Sequence, residues 1–478
     1  MAQLADSETA CSQPILGPDH GGRWYLAGVC LVASLGGLLF GFDTAVISGT
    51  VNFVEHQYEL TKLEVGWFGS AALLGCILGA AVSGVLTDRF GRKPILLVAA
   101  VLFFVSALFS CIPPNFSVLI AARIVGGLGV GMASVLAPMY ISEFSPPRIR
   151  GRLVALYQLS IVLGILLAYL SNWVLLNFAQ NHPDALSGYV GLRTVLIGEV
   201  WRGMFGAEMI PCAAFLLLLL LVPESPRWLA EAGRRAEAMA ILTRVAGPGT
   251  ARQEMAEIEQ AARQEPATLA ELFAPGLRRA MMVALGLSIF GQLTGVNIIV
   301  YYGPTILKEA GYETATALQW QVLLGLINLA ATLVAIWKVD SWGRRPLLVG
   351  GMAAVAVTTA ATATLVLCKA PPLSIVLLLC LYMGCVAVSI CGVIWVLTPE
   401  ILPNRVRGRA MSIAIFANWT TNMISVFLFP WYVEKYGLHA GFFVFAGICA
   451  AATIFFRQLV PETKGRSLED IARHWQRN

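Results

Sequence analysis

The chain has 478 residues, of which 57% are hydrophobic and only 13% are charged, with a formal net charge of +5. Because about a quarter of the residues of an ordinary soluble domain are charged, this composition excludes a soluble globular protein. Apolar runs of about 20 residues, long enough to cross a bilayer, recur along almost the whole sequence. We therefore predict an integral membrane protein, and we expect no nucleic-acid partner.

The N-terminal segment, residues 1–23, is predicted to be a cytosolic tail. It carries Asp6, Glu8 and Asp19 and has no basic start followed by an apolar core, so no cleavable signal peptide is expected. Apolar windows between charged or Pro-rich breaks then predict twelve membrane spans. They are placed at residues 24–49, 65–87, 94–112, 117–142, 153–176, 203–222, 280–306, 318–338, 346–368, 373–398, 409–430 and 441–460.

A polar stretch at 223–279, rich in Ala, Glu, Arg and Gln, separates spans 6 and 7. Its apolar residues recur at three- and four-residue spacing, which predicts short amphipathic helices on the cytosolic face. This linker divides an N-terminal six-helix bundle, 24–222, from a C-terminal one, 280–460, and a second cytosolic tail follows at 461–478.

The distribution of basic residues predicts the orientation of the spans. Of the 33 Lys and Arg residues, 26 lie in the termini, the linker and the other even-numbered loops, six lie on the opposite side, and Arg123 lies within a span. Cytosolic loops carry an excess of Lys and Arg, so both termini are predicted to be cytosolic. The ten cysteines mostly lie in apolar runs without metal-ligand spacing, so neither a disulfide framework nor a metal site is expected.

Three loop motifs of the first half recur in the second half, in the same order. The pairs are DRFGRK (88–93) with DSWGRR (340–345), EFSPPRIRGR (143–152) with EILPNRVRGR (400–409), and PESPR (223–227) with PETKG (461–465). They imply a duplicated six-helix unit, and such repeats are typical of transporters that bind substrate between the two halves. We predict that the charged loop residues form a cytosolic gate whose ion pairs latch the halves together when the inside is closed. These residues are Asp88, Arg92, Glu143, Arg150, Glu224, Arg227, Asp340, Arg344, Glu400, Arg407 and Glu462.

Several motifs resemble the sugar porters of the major facilitator superfamily. They are GGLLFGFDTAVISG (36–49), DRFGRKP (88–94), PESPRWL (223–229), GQLTGVNIIVYY (291–302) and PETKGRSLEDI (461–471). The likeness is greatest to bacterial D-xylose:proton symporters and more distant to facilitative glucose carriers. It implies an all-α membrane protein of two pseudo-symmetric six-helix bundles that carries a monosaccharide or polyol by alternating access.

The seventh span, with SIFGQLTGVNIIVYYGPTIL at 288–307, is unusually rich in polar side chains. Gly295 permits a local helix break, and broken helices are tolerated where they line a cavity. Amides both donate and accept hydrogen bonds, as recognition of sugar hydroxyls requires. An isolated amide in a span can equally serve a hydrogen bond between helices. The resemblance implies sugar contacts at Phe40, Gln158, Gln292, Asn297, Tyr301, Asn328, Asn418 and Trp419.

The chain departs from the family pattern at several of these positions. Gly291 stands where members usually have a second glutamine, Ile390 where they have tryptophan, and Asn418 where they usually have glutamine, whereas Ile165 matches the facilitative carriers. Loss of a polar group and of a stacking face implies a wider or less polar pocket. Our hypothesis is that xylose and glucose bind weakly and that the preferred substrate is bulkier or less hydroxylated.

Three ionisable residues, Asp43, Arg123 and Glu208, fall within predicted spans. A charge at the centre of a span costs about 2.5–3.5 kcal/mol on insertion scales, so we expect them to form a mutually satisfied triad. By resemblance, Asp43 matches the proton-binding carboxylate of the symporters, and the other two match its partners. Proton symport is favoured. An uncoupled uniporter and a non-transporting sugar sensor remain as alternatives.

No enzymatic activity is expected, because the sequence has no nucleotide-binding loop, catalytic triad or metal cluster. No cofactor is expected either. The predicted partners are a sugar or polyol, a proton and the lipid bilayer, and the protein is expected to be a monomer in the plasma (inner) membrane.

Overall fold

The computed structural model describes residues 20–146, 149–262, 271, 277–402, 406–464 and 475, and the described part is helical without strands. Twelve helical segments in this part are long and apolar enough to cross a membrane, which confirms the predicted number. They are Gly22–Gln57, Lys62–Phe90, Arg92–Cys111, Phe116–Phe144, Arg150–Asn181, Val200–Leu221, Leu277–Glu309, Thr314–Val339, Arg344–Leu367, Pro372–Ile401, Arg407–Tyr436 and Leu438–Leu459, here called spans 1 to 12.

Most span ends lie within a few residues of the predicted ones. Span 1 continues eight residues beyond the predicted end at 49, to Gln57, because its polar end is held by another helix. The Trp201 indole donates a hydrogen bond of 2.6 Å to the Gln57 side chain. Span 11 continues past the predicted end at 430, since Pro430 is accommodated inside the helix.

Span 7 is broken as predicted. Its first helix, Leu277–Gln292, ends before Gly295, and the second, Val296–Glu309, begins directly after it. Gly295 has φ +89°, in the left-handed region that non-glycine residues rarely adopt. The Tyr382 hydroxyl of span 10 donates a hydrogen bond of 3.0 Å to the carbonyl of Thr294, so a neighbouring helix satisfies one backbone group freed by the break.

Span 10 contains an irregularity that the sequence did not predict. A π-helical segment, Ala387–Cys391, lies between the α-helices Pro372–Val386 and Gly392–Ile401. Such bulges in α-helices occur frequently at functional sites. This one carries Ile390, one of the positions at which the chain departs from the family pattern.

The linker forms the short helices Pro226–Glu231, Arg235–Ala246 and Pro248–Ala262, which confirms the helices predicted from its periodicity. They enclose a small apolar cluster of their own that includes Leu229, Leu242 and Met255. The Arg244 guanidinium lies 3.9 Å from the centroid of the Tyr25 ring, which fastens the linker to the start of span 1. Most of the two predicted tails lies outside the described residues.

The two halves contact each other near the helix ends opposite the linker. Spans 2 and 11 approach so closely that a Cβ at Gly66 would lie 2.0 Å from the carbonyl oxygen of Phe427. The Thr305 hydroxyl of span 7 donates a hydrogen bond of 3.2 Å to the amide oxygen of Asn52 in span 1. These contacts close the molecule at the end away from the basic loops.

Candidate functional site

The break in span 7 brings two amides together. In a straight helix Gln292 and Asn297 would point about 140° apart, at about 100° per residue. In the structure the Asn297 side chain donates a hydrogen bond of 2.5 Å to the Gln292 oxygen. The Gln292 nitrogen in turn donates a bond of 2.8 Å to the Asn418 oxygen of span 11. The three amides thus form one chain of hydrogen bonds across two spans.

Aromatic side chains from both halves lie beside this amide chain. The rings of Phe40 in span 1 and Trp419 in span 11 are 5.5 Å apart between centroids. Tyr301 is fully buried on the second helix of span 7, which packs against span 1, the span that carries Asp43. Span 7 therefore connects the amide chain to the buried charges of the first half.

Two predicted contact residues do not join the amide chain. Gln158 and Asn328 are half-buried on spans 5 and 8, and neither side chain makes a hydrogen bond to another described residue. Spans 5 and 8 pack against each other across the two halves. The two amides therefore lie on facing helices with free donors and acceptors.

The space beside Gly291 is occupied by two isoleucines. A Cβ at Gly291 would lie 3.2 Å from Cδ1 of Ile394 and 3.5 Å from Cγ1 of Ile390, and Ile390 is buried. The wall of the candidate site at this point is therefore apolar, and whether the pocket is wider than in other family members stays a prediction.

Asp43 and Arg123 form a fully buried ion pair. One terminal nitrogen of Arg123 lies 2.6 Å from an Asp43 carboxylate oxygen. The other terminal nitrogen lies 3.3 Å from the second carboxylate oxygen and 3.1 Å from the Asp43 backbone carbonyl. The guanidinium also faces the Phe205 ring at 5.3 Å. The pair joins spans 1 and 4 within the first half.

Among the described residues no ion pair within 4.0 Å joins Glu208 to the Asp43–Arg123 pair, so the expected triad stays a prediction. The Glu208 side chain is 1% exposed, and one carboxyl oxygen has no hydrogen-bond partner among the described residues. On the Arg123 side, Nε is likewise buried without a hydrogen-bond partner among the described residues. Burying a carboxyl without a partner is costly, which argues for a role other than stabilising the fold.

The gate residues of the first half form a compact cluster on the linker side. Arg92 pairs with Glu143 at 3.0 Å, and the Ser225 hydroxyl donates a hydrogen bond to the same carboxylate. Glu224 accepts hydrogen bonds of 3.1 and 3.2 Å from the backbone N–H groups of Arg92 and Lys93. Its carboxylate thereby satisfies free N–H groups at the start of span 3.

The second half repeats this cluster residue by residue. Arg344 lies 3.2 Å from Glu400, and the Thr463 hydroxyl donates a bond of 2.6 Å to that carboxylate. Glu462 accepts bonds of 3.2 and 3.1 Å from the N–H groups of Arg344 and Arg345. The sequence did not predict the roles of the two hydroxyl residues, Ser225 and Thr463. The repeated PES and PET motifs contain the signal, a hydroxyl directly after the glutamate.

The remaining gate residues are less firmly held. Asp88 is exposed and 4.0 Å from Arg92, and Arg227 pairs with Glu231 at 3.3 Å. Arg150 and Arg407 donate to the carbonyls of Ser145 and Leu402 at the equivalent turns, and the side chain of Asp340 lies outside the described residues.

The expected latch between the halves is absent from the ion pairs of the described residues. The pairs of Arg92 and Arg344 each connect elements of one half, because the repeated motif closes each six-helix unit on itself, and the remaining pairs on this side lie within the linker or within one helix. In the conformation described, the halves contact each other at the opposite end instead.

No cluster of three or more metal-ligating side chains occurs among the described residues, and the nine cysteines described are free thiols.

Known proteins share this sequence and fold over nearly their whole length. The family described as "Sugar (and other) transporter" matches residues 29–475. The chain is 38% identical to the arabinose-proton symporter of Bacillus subtilis, covering 94% of each protein. It is 37% identical to the D-xylose-proton symporter of Escherichia coli, covering 95% of this chain and 96% of that one. The partially occluded, inward-open structure of the E. coli xylose transporter superposes with a TM-score of 0.80 at 36% identity, covering 93% of this chain and all of that chain.

Proposed function

Because this chain belongs to the sugar transporter family of the major facilitator superfamily, we propose that it carries a monosaccharide or polyol across the membrane by alternating access, coupled to a proton. The two relatives named above are proton symporters of arabinose and of D-xylose. The buried pair of Asp43 and Arg123 is the observation that carries the proposal, since a stable fold has no need of these charges at this depth.

Asp43 is proposed as the proton carrier, with Arg123 as its counter-ion and Glu208 as a neighbouring carboxyl. A carboxylate is favoured by a nearby guanidinium and disfavoured by burial, so separating the pair favours proton uptake. Tyr301 belongs to the span that carries Gln292 and Asn297, on the helix that packs against span 1. A movement of span 7 on substrate binding therefore reaches the pair directly.

The substrate is proposed to bind between the amide chain of Gln292, Asn297 and Asn418 and the rings of Phe40 and Trp419. Amides pair with hydroxyl groups, and aromatic faces pack against the C–H faces of a sugar ring. Gln158 and Asn328 supply further polar groups from spans 5 and 8.

The wall formed by Gly291, Ile390 and Ile394 supports a preference for a substrate with an apolar face on that side. A hydroxyl directed at two isoleucines is left without a hydrogen bond, which costs about 1–3 kcal/mol. We therefore propose weak binding of xylose and glucose and tighter binding of a less hydroxylated sugar or polyol.

The conformation described is proposed to be open toward the cytosol, with both termini, the linker and the basic loops on that side of the plasma (inner) membrane. The inter-half contact at Asn52 and Thr305 and the likeness to an inward-open structure support this assignment. The cytosolic clusters are proposed to meet across the halves when the carrier opens outward. The carrier is proposed to act as a monomer.

Proton flux in proteoliposomes tests the function. A panel of pentoses, hexoses, deoxy sugars and cyclic polyols is added outside vesicles that enclose a pH-sensitive dye, with no initial pH gradient. Symport predicts internal acidification with at least one compound. Uptake of a radiolabelled compound from the panel without internal acidification would indicate a uniporter. Binding of a compound without uptake would indicate a sensor. Either result would refute the proposal.

A further inference from the structure

A groove of about 1030 Å³ runs between spans 8, 9 and 10, apart from the candidate sugar site. Its walls are almost wholly apolar and include Ile327 and Val334 of span 8, Gly350 of span 9, and Leu381 and Val388 of span 10. Val334 and Leu381 are exposed, so the groove opens on the outer side of the second half, which faces lipid. None of the predicted sugar contacts lines it.

The groove has the length of one lipid leaflet. Along the helix Thr314–Trp342, which contains span 8, its lining extends from Ile327 to Trp342, about 22 Å at the α-helical rise of 1.5 Å per residue. Half of a hydrocarbon core is about 15 Å thick, so the groove reaches from near the midplane to the interface on the side of the basic loops. An extended hydrocarbon chain matches this shape.

Aromatic and basic groups stand at the interfacial end. The Lys338 ammonium lies 3.6 Å from the ring centroid of Trp337 and 5.8 Å from that of Trp342, and Trp342 also lines the groove. Exposed tryptophans anchor at the level of lipid headgroups, and lysine there attracts anionic ones. No described carboxylate forms an ion pair with Lys338 within 4.0 Å.

We propose that this groove binds one acyl chain of an anionic phospholipid, whose phosphate contacts Lys338. Cys385, Val388 and Ser389 of span 10 also line the groove, and the last two belong to the π-helical segment of that span. The next residue of that segment is Ile390, which packs beside Gly291 in the candidate sugar site. The lipid therefore contacts the back of the segment that shapes the sugar pocket.

A matched pair of glycine variants tests the groove. No atom lies within 4 Å of a Cβ built at Gly350, so Gly350→Leu fills the groove without a clash, and Gly447→Leu places the same side chain in open space on span 12. Native mass spectrometry of the purified full chain counts retained phosphatidylglycerol, with phosphatidylcholine of the same acyl chains as the neutral probe.

The wild type and Gly447→Leu are expected to retain one phosphatidylglycerol, and Gly350→Leu to bind it at least tenfold more weakly. Lys338→Gln is expected to reduce the preference for phosphatidylglycerol over phosphatidylcholine by about fivefold, the contribution of one basic residue near an anionic lipid. Equal retention of phosphatidylglycerol by the two glycine variants would mean that the lipid binds non-specifically over the protein surface and not in the groove. That result would overturn the proposal. An unchanged headgroup preference in Lys338→Gln would also overturn it.

Discussion

Arg123 directs both terminal nitrogens of its guanidinium at Asp43, at 2.6 and 3.3 Å from the two carboxylate oxygens, and both side chains are at most 2% exposed. Such a pair is a poor means of stabilising a fold. Desolvation of two ions offsets most of their attraction, yet removal of one partner leaves an uncompensated buried charge. The pair is better explained by a cycle in which it separates.

Arg123→Gln is expected to destabilise the protein by about 3–5 kcal/mol, because Asp43 loses its counter-ion. Adding Asp43→Asn should restore much of the loss, since no buried charge then remains. The free energy of unfolding in mixed micelles is measured for the wild type, both single variants and the double variant. The four values give the interaction energy between the two side chains. Independent, additive losses would show that the two residues do not interact in the folded protein.

Gly295→Ala is expected to destabilise the protein by about 1 kcal/mol or more and to impair transport. The left-handed conformation of Gly295 disfavours any side chain, and a Cβ there would lie 3.1 Å from the Phe445 ring. Thermal melting in detergent measures the change. Gly447→Ala, on a regular helix with open space around it, is the control and should leave the melting temperature unchanged or slightly raised.

The double variant Gly291→Gln with Ile390→Trp is expected to bind xylose about tenfold more tightly than the wild type. It restores one polar group and one stacking face, worth about 1.5 kcal/mol together. Competition with a labelled substrate in proteoliposomes gives the affinities. Ile390→Leu, which keeps the wall apolar, serves as the control. An unchanged affinity for xylose in the double variant would show that this wall does not determine substrate specificity.

Cross-linking is expected to trap the conformation described. Cysteines introduced at Asn52 and Thr305, whose side chains hydrogen-bond across the halves, are joined with a short bis-methanethiosulfonate, which forms a disulfide with each cysteine and releases methanesulfinate. Transport should stop and then recover on reduction, while either single cysteine variant treated alike should remain active. Full activity of the cross-linked protein would show that these ends do not separate during the cycle.

Local signals predicted most of the fold. Apolar length predicted the twelve spans, and a lone glycine among amides predicted the break at Gly295, because only a few residue types suit these positions. Contacts between segments far apart in the sequence could not be predicted from such local patterns. Nothing in the sequence near Ala387–Cys391 indicates a π-helical segment, since this geometry depends on how span 10 packs against its neighbours.

The partners of the charged residues were also beyond the sequence. Asp43, Arg123 and Glu208 lie within spans as predicted, whereas Asp88 and Arg92, predicted in a loop, lie at the ends of spans 2 and 3. The partner of each depends on the conformation. In the conformation described, the ion pairs of Arg92 and Arg344 each lie within one half, whereas the latch was predicted for a closed inside, so it stays a prediction.

Substrate accumulation in proteoliposomes under an imposed pH gradient, inside alkaline, tests proton coupling through Asp43 most directly. The substrate is one that acidifies wild-type vesicles, and Asp184→Asn, the same change in the exposed loop between spans 5 and 6, is the control. The wild type and the control should concentrate it, whereas Asp43→Asn should only equilibrate it while still catalysing counterflow exchange. Accumulation against the gradient by Asp43→Asn would contradict the account.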